Sequence, residues 1–263
     1  MTSAREVSVP SEFRRIKAVC LDIDDTLLDS QRSARRAFMA LTGNDAAWPM
    51  WQRITAEYQA RMMTGEIDFE TMCLSRTRDF FAAFGERLGA DEVRARERRR
   101  MSAMRESWEL FDDVTDCLDW LRASGLAVAV ITNAPGAYQR HKLASVGLVD
   151  TFDAMLISGE CGVAKPSEGI FYAACAALDL APHEVAHVGN SLDVDAEGAA
   201  RAGMHGVWLD REARASTGLS ASGDPVSVIA NLYELPELLV CDLPYLEGGA
   251  GASARCDSLA GSG

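Results

Sequence analysis

The sequence predicts an α/β protein: a doubly wound parallel sheet with an all-helical domain inserted after its first strand. Two patterns lead to this prediction. From residue 114 onward, short apolar runs alternate with segments of helical period, which is typical of parallel strands joined by helices on both faces of a sheet. Before that alternation, residues 30–109 carry helical periodicity and no strand-like run.

The core elements follow from the positions of these runs. Residues 16–21, which read IKAVCL, form the first predicted strand. Glycines end two of the helices, at Gly125 and Gly147. Residues 226–239 add either a last strand or a helix. The other predicted strands are 126–131, 154–157, 185–188 and 206–209, and the predicted helices are 114–123, 139–146, 167–178 and 194–202.

The inserted segment is predicted to be entirely helical. Its apolar residues recur at intervals of three and four, which predicts helices near residues 34–41, 48–58, 69–84 and 91–108. The predicted division is therefore an α/β core of residues 1–29 and 110–240 and a helical domain of residues 30–109. Residues 1–14 are expected to be a flexible lead-in. Residues 241–263 are rich in Gly and Ser, and we expect them to be a disordered tail.

The charge balance excludes one class of partner. The chain has 263 residues, of which 39 are acidic and 26 basic, and its formal net charge is −13. Non-specific nucleic-acid binding needs an excess of Lys and Arg over acids, so we expect no nucleic-acid partner. Only three of the basic residues are lysines, namely Lys17, Lys142 and Lys165. Each of them is therefore a candidate for a specific task.

The cysteines and the apolar runs predict a cytoplasmic protein. There are seven cysteines, an odd number, and none forms a CxxC pair, which fits a reducing compartment. The N-terminal residues contain no apolar signal region. No stretch reaches the roughly 20 apolar residues that a membrane span needs. We therefore expect no membrane partner.

Acidic residues crowd the end of the first predicted strand. Asp22, Asp24 and Asp25 follow its apolar run directly. Two like charges about 5 Å apart repel by roughly 3 kcal/mol at an effective dielectric constant near 20. A divalent cation would offset this repulsion, and hard oxygen ligands of this kind suit Mg²⁺. The pattern favours a functional site, although Asp is also common in ordinary turns after strands.

Three more polar stretches follow predicted strands or precede a predicted helix. They are Thr132-Asn133, Lys165 and residues 189–195, which read GNSLDVD. In doubly wound sheets, ligands bind beyond the carboxyl ends of the strands, so these stretches are expected to meet the acids in one crevice. The Thr132 hydroxyl and the Asn133 amide can donate hydrogen bonds to phosphoryl oxygens, and Lys165 supplies a positive charge. One Asp can then attack phosphorus while the other transfers the proton.

In their order and spacing, the four stretches resemble the motifs of the haloacid dehalogenase (HAD) superfamily of hydrolases. The first motif of that family, an apolar run followed by DxDx(T/V), is matched by VCLDIDDTL. The second and third are matched by AVAVITN and GVAKPSEGIF, and the fourth, an acidic loop, by GNSLDVDAEGA. The resemblance covers residues 16–29 and 111–210. It implies a Rossmann-like core, with residues 30–109 forming the helical cap of the family.

The resemblance also implies a role for each site residue. Asp22 would be the nucleophile that becomes an aspartyl-phosphate. Asp24 would be the general acid for the leaving group and then the general base for water. Thr132, with Asn133 as a helper, would bind the transferring phosphoryl group. Lys165 would steady both the nucleophile and the phosphoryl oxygens.

The metal site implied by the resemblance combines Asp22 and Asp24 with the fourth loop, where Asn190 and Asp195 would complete the coordination of Mg²⁺. Asn190 departs from the family pattern, because most phosphatase members carry Asp there. An amide oxygen can coordinate Mg²⁺ but adds no negative charge. The implied enzyme is a Mg²⁺-dependent phosphatase, a phosphoric monoester hydrolase, whose partner is a small phosphorylated metabolite.

Two other functions stay open at this point. A metal-free, dehalogenase-like hydrolase is favoured by Asn190 and opposed by Asp24, because the haloacid dehalogenases of the family carry an aromatic residue at that position. A non-catalytic member would keep the fold as a binding module. Single residues also have ordinary alternatives: Lys165 could be a solvated lysine, and Thr132 and Asp195 could cap helices.

The densest run of positive charge lies in the helical segment, where five of the residues between 94 and 100 are arginines. Such a run could attract an anionic substrate, but it is more often the solvated face of a helix. The aromatic residues between 48 and 84 could form the core of the helical domain or line a substrate crevice. The sequence specifies neither the substrate nor the oligomeric state.

Overall fold

The computed structural model describes residues 16–212 and 226–242. Its six-stranded sheet is parallel throughout, and the strand order is β3-β2-β1-β4-β5-β6. This order, in which the chain moves from the first strand to both edges, confirms the doubly wound α/β fold. The strands are β1 (Ala18–Leu21), β2 (Ala127–Thr132), β3 (Ala154–Ile157), β4 (Val185–Gly189), β5 (His205–Leu209) and β6 (Val226–Ile229).

Helices connect the strands and fill the insertion after β1. Four of them, α1 to α4, occupy the inserted segment, and the others belong to the core. In chain order the helices are α1 (Ser30–Thr42), α2 (Trp48–Met63), α3 (Phe69–Ala82), α4 (Ala90–Glu106), α5 (Val114–Ala123), α6 (Gly136–Ser145), α7 (Ser158–Cys161), α8 (Glu168–Leu178), α9 (Glu197–Arg201) and α10 (Leu235–Glu237). None of the helices within the described residues is both long and apolar enough to cross a membrane.

Alternate residues of the central strand pack into two separate cores. Val19 and Leu21 of β1 belong to the apolar cluster that includes α5, whereas Ala18 and Cys20 belong to the cluster that includes α8. All four side chains are completely buried. Successive side chains of a strand point to opposite faces, so a strand covered on both faces must be apolar at every position. This explains the unbroken run AVCL.

The helical insertion has an aromatic core of its own. Phe38 of α1, Trp51 of α2 and Phe80 of α3 are buried against one another, with ring centroids 5.3 to 5.5 Å apart. Ring pairs in tilted or edge-to-face geometry add to the free energy gained from burial. The first helix begins after Asp29, whose side chain accepts a hydrogen bond from the Arg32 amide. The insertion is therefore a packed unit and not a loose loop.

The structure refines several of the predicted boundaries. Thr132 is the last residue of β2 and does not lie in the loop beyond it. The helix predicted over residues 194–202 consists of a π-helical turn at Leu192–Ala196 followed by α9. Residues 226–239 hold both alternatives, a strand and then helical turns that end at Asp242. The predicted lead-in of residues 1–14 lies outside the described residues, as does the predicted tail beyond Asp242.

Candidate active site

The predicted site residues meet in one pocket at the carboxyl ends of β1, β2 and β4. The pocket has a volume of about 240 Å³. All seven side chains predicted from the sequence line it, although they come from four separate stretches of chain. These residues are Asp22, Asp24, Thr132, Asn133, Lys165, Asn190 and Asp195.

The backbone beyond β1 places the two catalytic candidates at this edge. The Asp22 amide donates to the carbonyl of Val188 at 2.9 Å, so the register with β4 extends to Asp22. A tight turn follows, in which Asp25 has a positive φ of 60°. Asp is one of the few residues other than glycine that adopts this conformation readily. The turn reverses the chain immediately after Asp24 and keeps both carboxylates beside the pocket.

Lys165 is the central cation of the pocket. Its ammonium group donates to Asp22 Oδ1 at 2.7 Å, to Asp195 Oδ1 at 2.6 Å and to the carbonyl of Ile131 at 2.7 Å. These bonds use all three protons of the group. Burial alone would lower the pKa of Lys165, but Asp22 and Asp195 together raise it above its usual value. The lysine is therefore a charged, fixed member of the site and not a solvated side chain.

The two acids that share Lys165 have different electrostatic states. Burial raises the pKa of Asp22 to about 7, because Lys165 offsets the cost only in part and Asp195 adds to it. Burial acts on Asp195 as well, but Lys165 and His187 outweigh it and hold the pKa of Asp195 below its usual value. Within the described residues, Asp22 Oδ2 receives only a long contact of 3.5 Å, from the Thr26 hydroxyl. Asp22 is thus the acid whose negative charge is least compensated.

Asp195 is held in place by the loop to which it belongs. Its Oδ2 accepts a hydrogen bond from the Ser191 amide at 3.0 Å, and its Oδ1 lies 3.2 Å from His187 Nε2. A Cβ atom at Gly189 would lie 2.3 Å from the Asp195 Cγ, so only glycine lets the acid come so close to the strand end. Asp195 does not simply cap the next helix. Its side chain contacts Lys165 and His187 as well as the Ser191 amide, and its role as a metal ligand stays a prediction.

Asp24 is held by three side chains of which none was predicted as a site residue. Lys142 and Ser30 both contact its Oδ1, and Gln139 Nε2 donates to its Oδ2 at 2.8 Å. Burial raises the pKa of Asp24, but the charge of Lys142 and these hydrogen bonds outweigh burial and lower the pKa below its usual value. The same amide of Gln139 donates to the Thr132 hydroxyl at 2.8 Å. Gln139 therefore links the general acid–base candidate to the phosphate-binding candidate.

One of these residues could have been found from the sequence. Lys142 is one of three lysines in the chain, and it lies three residues after Gln139, so both point from one face of α6. The side chain of Lys142 is only 1% exposed. The remaining lysine, Lys17, is exposed and pairs with Glu184. The rarity of lysine was a usable signal, whereas nothing in the sequence distinguished Ser30 from other helix-start serines.

Asn133 supports the segment that carries Lys165. Its Oδ1 accepts from the Lys165 amide at 2.9 Å, and its Nδ2 donates to the Lys165 carbonyl at 2.8 Å. This pair of bonds fixes the backbone from which the lysine reaches the acids. Thr132 Oγ1 accepts from Gln139 and keeps its own proton for another acceptor. Substrate binding by both residues stays a prediction.

The donor set of the pocket suits a hard cation. Asp22 and Asn190 line the same pocket and offer carboxylate and amide oxygens, the ligands that Mg²⁺ prefers. Among the described residues, no group of three or more His, Cys, Asp or Glu side chains is arranged to hold a metal by itself. The side chain of Asp24 is committed to Lys142. Backbone or solvent oxygens would therefore have to complete the coordination.

A second, larger cavity lies between the core and the helical insertion. Its volume is about 460 Å³, and it shares Asp24, Asp25 and Asn133 with the smaller pocket. Tyr138 and Lys142 belong to its core wall. On the side of the insertion it is lined by Trp51, Thr55, Arg76 and Arg100, among others. The shared residues make this cavity the natural place for the rest of a molecule whose reacting group occupies the smaller pocket.

The arginine run of α4 divides into two kinds of residue. Arg94 and Arg96 pair with the acids Asp91 and Glu92 on the outside of the helix. Arg100, in contrast, is only 4% exposed and lines the cavity. The ordinary interpretation, a solvated helix face, therefore fits the outward arginines and fails for Arg100.

The chain is similar in sequence to known phosphatases and in fold to a known hydrolase. A phosphoserine phosphatase of Thermus thermophilus is 40% identical over 140 residues, which span 53% of this chain and 56% of that protein. The N-acylneuraminate-9-phosphatase of Mus musculus is 27% identical over 86% of this chain and 94% of its own. The HAD-hydrolase YfnB of Bacillus subtilis, solved bound to magnesium, covers 86% of this chain and 99% of its own with a TM-score of 0.72 at 19% identity. The last similarity establishes the fold alone.

The family assignment rests on a match to most of the chain. Residues 16–203 match the haloacid dehalogenase-like hydrolases, and this range contains every predicted site residue from Asp22 to Asp195. The match confirms the resemblance on which the sequence analysis relied and the prediction that the protein is a hydrolase. The chain therefore belongs to the haloacid dehalogenase-like hydrolase family.

Proposed function

We propose that this protein is a Mg²⁺-dependent phosphatase that hydrolyses a small phosphorylated metabolite through an aspartyl-phosphate on Asp22. The proposal rests on the position and contacts of Asp24. This second carboxylate lies two residues after the nucleophile candidate, beside both cavities, and Lys142, Ser30 and Gln139 hold it in place. A proton donor and acceptor at that point suits an oxygen leaving group. Similarity to a phosphoserine phosphatase and an N-acylneuraminate-9-phosphatase supports the same reaction type.

The first step is the transfer of the phosphoryl group to the protein. A carboxylate oxygen of Asp22 attacks phosphorus, and the bond from phosphorus to the ester oxygen breaks as Asp24 gives that oxygen a proton. Lys142 favours the ionised form of Asp24 in the free protein. The negative charge of a bound phosphate opposes this effect and raises the pKa of Asp24, so substrate binding itself would load the acid with its proton.

The second step reverses the role of Asp24. As a carboxylate it accepts a proton from water while the water oxygen attacks phosphorus, and the bond between Asp22 and phosphorus breaks. Inorganic phosphate and free Asp22 result. The contact with Lys142 suits this step, because it stabilises the ionised carboxylate that has to act as the base.

Positive charge and hydrogen-bond donors support both steps. Lys165, fixed by its bonds to Asp22 and Asp195, lies where it can stabilise the phosphoryl oxygens. The Thr132 hydroxyl has a proton to donate to them. Mg²⁺, held by Asp22, Asn190 and the backbone carbonyl of Asp24, would supply the positive charge that the phosphate and Asp22 together require. Burial raises the pKa of Asp22 to about 7, because Lys165 offsets the cost of burial only in part, and a nearby cation would favour the ionised form that attacks phosphorus.

The helical insertion would act as the cap that covers the reaction. Closing it over the cavity would exclude water and select the part of the substrate beyond the phosphate. We also propose that the protein works in the cytoplasm. Five cysteines are free thiols, as a reducing compartment would keep them: Cys20, Cys73, Cys117, Cys161 and Cys175.

The test is phosphate release from a panel of phosphorylated metabolites by protein treated with a chelator, with and without added Mg²⁺. The proposal expects release that depends on Mg²⁺ and disappears in Asp22→Asn. Release of halide from 2-chloropropionate without metal would instead favour the dehalogenase-like alternative that Asn190 suggests. If the protein turned over neither class of compound, the non-catalytic alternative would replace the proposal.

A further inference from the structure

A buried ionic cluster lies in the wall that the helical insertion gives to the large cavity. Arg76 Nη2 donates to Glu97 Oε1 at 3.0 Å, and Arg100 donates to both oxygens of Glu97 at distances from 2.6 to 3.0 Å. The Thr77 hydroxyl also donates to Glu97, at 2.6 Å. The carboxylate of Glu97 is therefore saturated with donors and has no capacity to neutralise further charge.

The cluster contains more positive than negative charge. It combines two guanidinium groups with one carboxylate, and Arg76, Glu97 and Arg100 are each at most 5% exposed. Burying a charge without a partner is strongly unfavourable. Burial, together with the neighbouring Arg100, lowers the pKa of Arg76 to about 10. Arg76 and Arg100 share the carboxylate of Glu97, and Arg100 makes more hydrogen bonds to it. The charge of Arg76 is therefore the less well neutralised of the two.

Two buried polar atoms of residues that line the large cavity are without partners among the described residues. Within residues 16–212 and 226–242, neither Nε of Arg76 nor the hydroxyl oxygen of Thr55 makes a hydrogen bond, although both atoms are buried. Both residues line the large cavity. Buried polar groups nearly always have a partner, so two unpaired donors in the lining of one cavity, together with the excess positive charge of the cluster, indicate that something outside the chain completes them.

Trp51 does not supply the missing partner. The Arg76 guanidinium lies over its ring, 4.5 Å from the centroid, which stabilises the cation and fixes the plane of the guanidinium. The face of an aromatic ring does not accept a conventional hydrogen bond from Arg76 Nε. Across the cavity, the positive charge of Lys142 is already matched by Asp24. Arg76 therefore has no anion of its own among the described residues and shares Glu97 with Arg100.

We propose that Thr55, Arg76 and Arg100 form an anion site that binds a carboxylate group of the substrate, remote from its phosphate. The proposal rests on the proposed function for the phosphate end of the substrate. It assigns the substrate to phosphate monoesters that also carry a carboxylate. A planar guanidinium matches a carboxylate well, and a hydroxyl can add one more bond. A carboxylate brings one negative charge and so balances the cluster, whereas a second phosphate dianion would leave it negative.

The binding test compares ligands that cannot be hydrolysed. Linear phosphonocarboxylates are titrated by calorimetry, in the presence of Mg²⁺, against alkylphosphonates in which a methyl group replaces the carboxylate. A series of chain lengths allows for the distance between the two sites. The wild-type protein should bind the carboxylated compound about 10- to 100-fold more tightly at the best length, as expected for hydrogen bonds to charged groups.

Two substitutions locate the preference in the cluster. Arg76→Met leaves Arg100 and Glu97 as a neutral pair, so the protein should still fold, but the preference for the carboxylate should disappear. Thr55→Val removes only a hydroxyl and should reduce the preference about 3- to 10-fold. Arg78→Met is the matched control, because Arg78 belongs to the same helix and is exposed. This control should keep the full preference.

The outcomes separate this inference from the proposed function. If no chain length shows a preference for the carboxylate, or if Arg76→Met keeps one, the anion site is wrong even where phosphate esters are hydrolysed. Hydrolysis is then measured with 3-phosphoglycerate and glycerol 3-phosphate, which differ in the carboxylate. A preference in binding that depends on Arg76, without phosphate release from these esters or from any other compound of the panel, would support the anion site and contradict the phosphatase.

Discussion

The small pocket of the core and the ionic cluster of the insertion have opposite charge imbalances. In the core, Lys165 bonds Asp22 and Asp195 while Lys142 bonds Asp24, so two ammonium groups serve three carboxylates, and Asp25 lines the pocket as a fourth acid. In the insertion, two guanidinium groups share one carboxylate. Buried charge is costly on either side, so neither wall is electrostatically complete. The comparison teaches that the core lacks a cation and the insertion an anion, which a metal ion and an acidic substrate would provide.

The largest effect should come from the acid with the least compensation in the core. Replacing Asp22 by Asn removes the nucleophile, because an amide cannot take up the phosphoryl group, and phosphate release should be abolished. The replacement also leaves each ammonium group with one bonded carboxylate, Lys165 with Asp195 and Lys142 with Asp24, so stability should not fall. Phosphate release and urea denaturation measure the two effects.

Asp150→Asn is the control for this change, because Asp150 is an exposed acid outside the lining of both cavities. It should keep normal activity. If Asp22→Asn retains even a tenth of the wild-type rate, the covalent mechanism is wrong, and the imbalance of the core then needs another explanation.

A smaller loss is expected where the core is already balanced, at Asp24 and Lys142. Asp24→Asn should lower the turnover rate about 10²- to 10⁴-fold through the loss of acid–base catalysis. Lys142→Met leaves Asp24 in place with only the hydrogen bonds of Ser30 and Gln139 to oppose the effect of burial, so the pKa of Asp24 should rise. In a plot of turnover rate against pH, the acid limb should then move to a pH that is higher by about 1–3 units. A profile that only drops in height would show that Lys142 merely fills space.

The insertion offers a test by stability instead of activity. Glu97 is the single acid of its cluster, and Glu97→Gln leaves two buried guanidinium groups without an anion. Breaking such a pair should cost about 3–5 kcal/mol of the free energy of unfolding. Arg76→Met removes the excess cation and should cost much less. Urea denaturation of both variants checks this asymmetry, and equal losses would contradict the charge count.

The contribution of Glu97 should also depend on pH. Burial raises its pKa, but Arg100 and Arg76 outweigh burial and hold the pKa below the usual 4.5. A carboxylate with a lowered pKa stabilises the fold above its ordinary pKa, and that stabilisation is lost as the pH falls through the lowered value. The difference in unfolding free energy between wild type and Glu97→Gln should therefore be constant near neutral pH and shrink in acid.

The same comparison explains what could be predicted from the sequence. The core site comes from strand ends of a doubly wound sheet, and topology brings such ends together, so Asp22, Thr132 and Lys165 could be identified from motifs and periodicity. No comparable rule of topology predicts the ionic cluster of the insertion. Arg76 and Glu97 come from different helices, and whether they meet depends on how α3 and α4 pack. From the sequence alone, a run of arginines predicts the solvated face of a helix, because the packing that buries Arg100 is not visible in the sequence.

The smallest expected effect concerns Asn190, the departure from the family pattern at the metal site. Asn190→Asp adds a negative charge to a pocket whose acids already outnumber its cations, so the pocket should attract a cation more strongly. Mg²⁺ should bind more tightly, and the concentration that gives half-maximal activity should fall several-fold, by about the amount expected when a neutral oxygen ligand becomes a charged one. The maximal rate need not rise, because the added charge also repels the substrate phosphate. Calorimetric titration of the chelator-treated proteins with Mg²⁺ measures binding apart from activity. An unchanged midpoint in both measurements would mean that Asn190 is not a ligand, and full activity of the wild type without metal would remove the cation from the proposed mechanism.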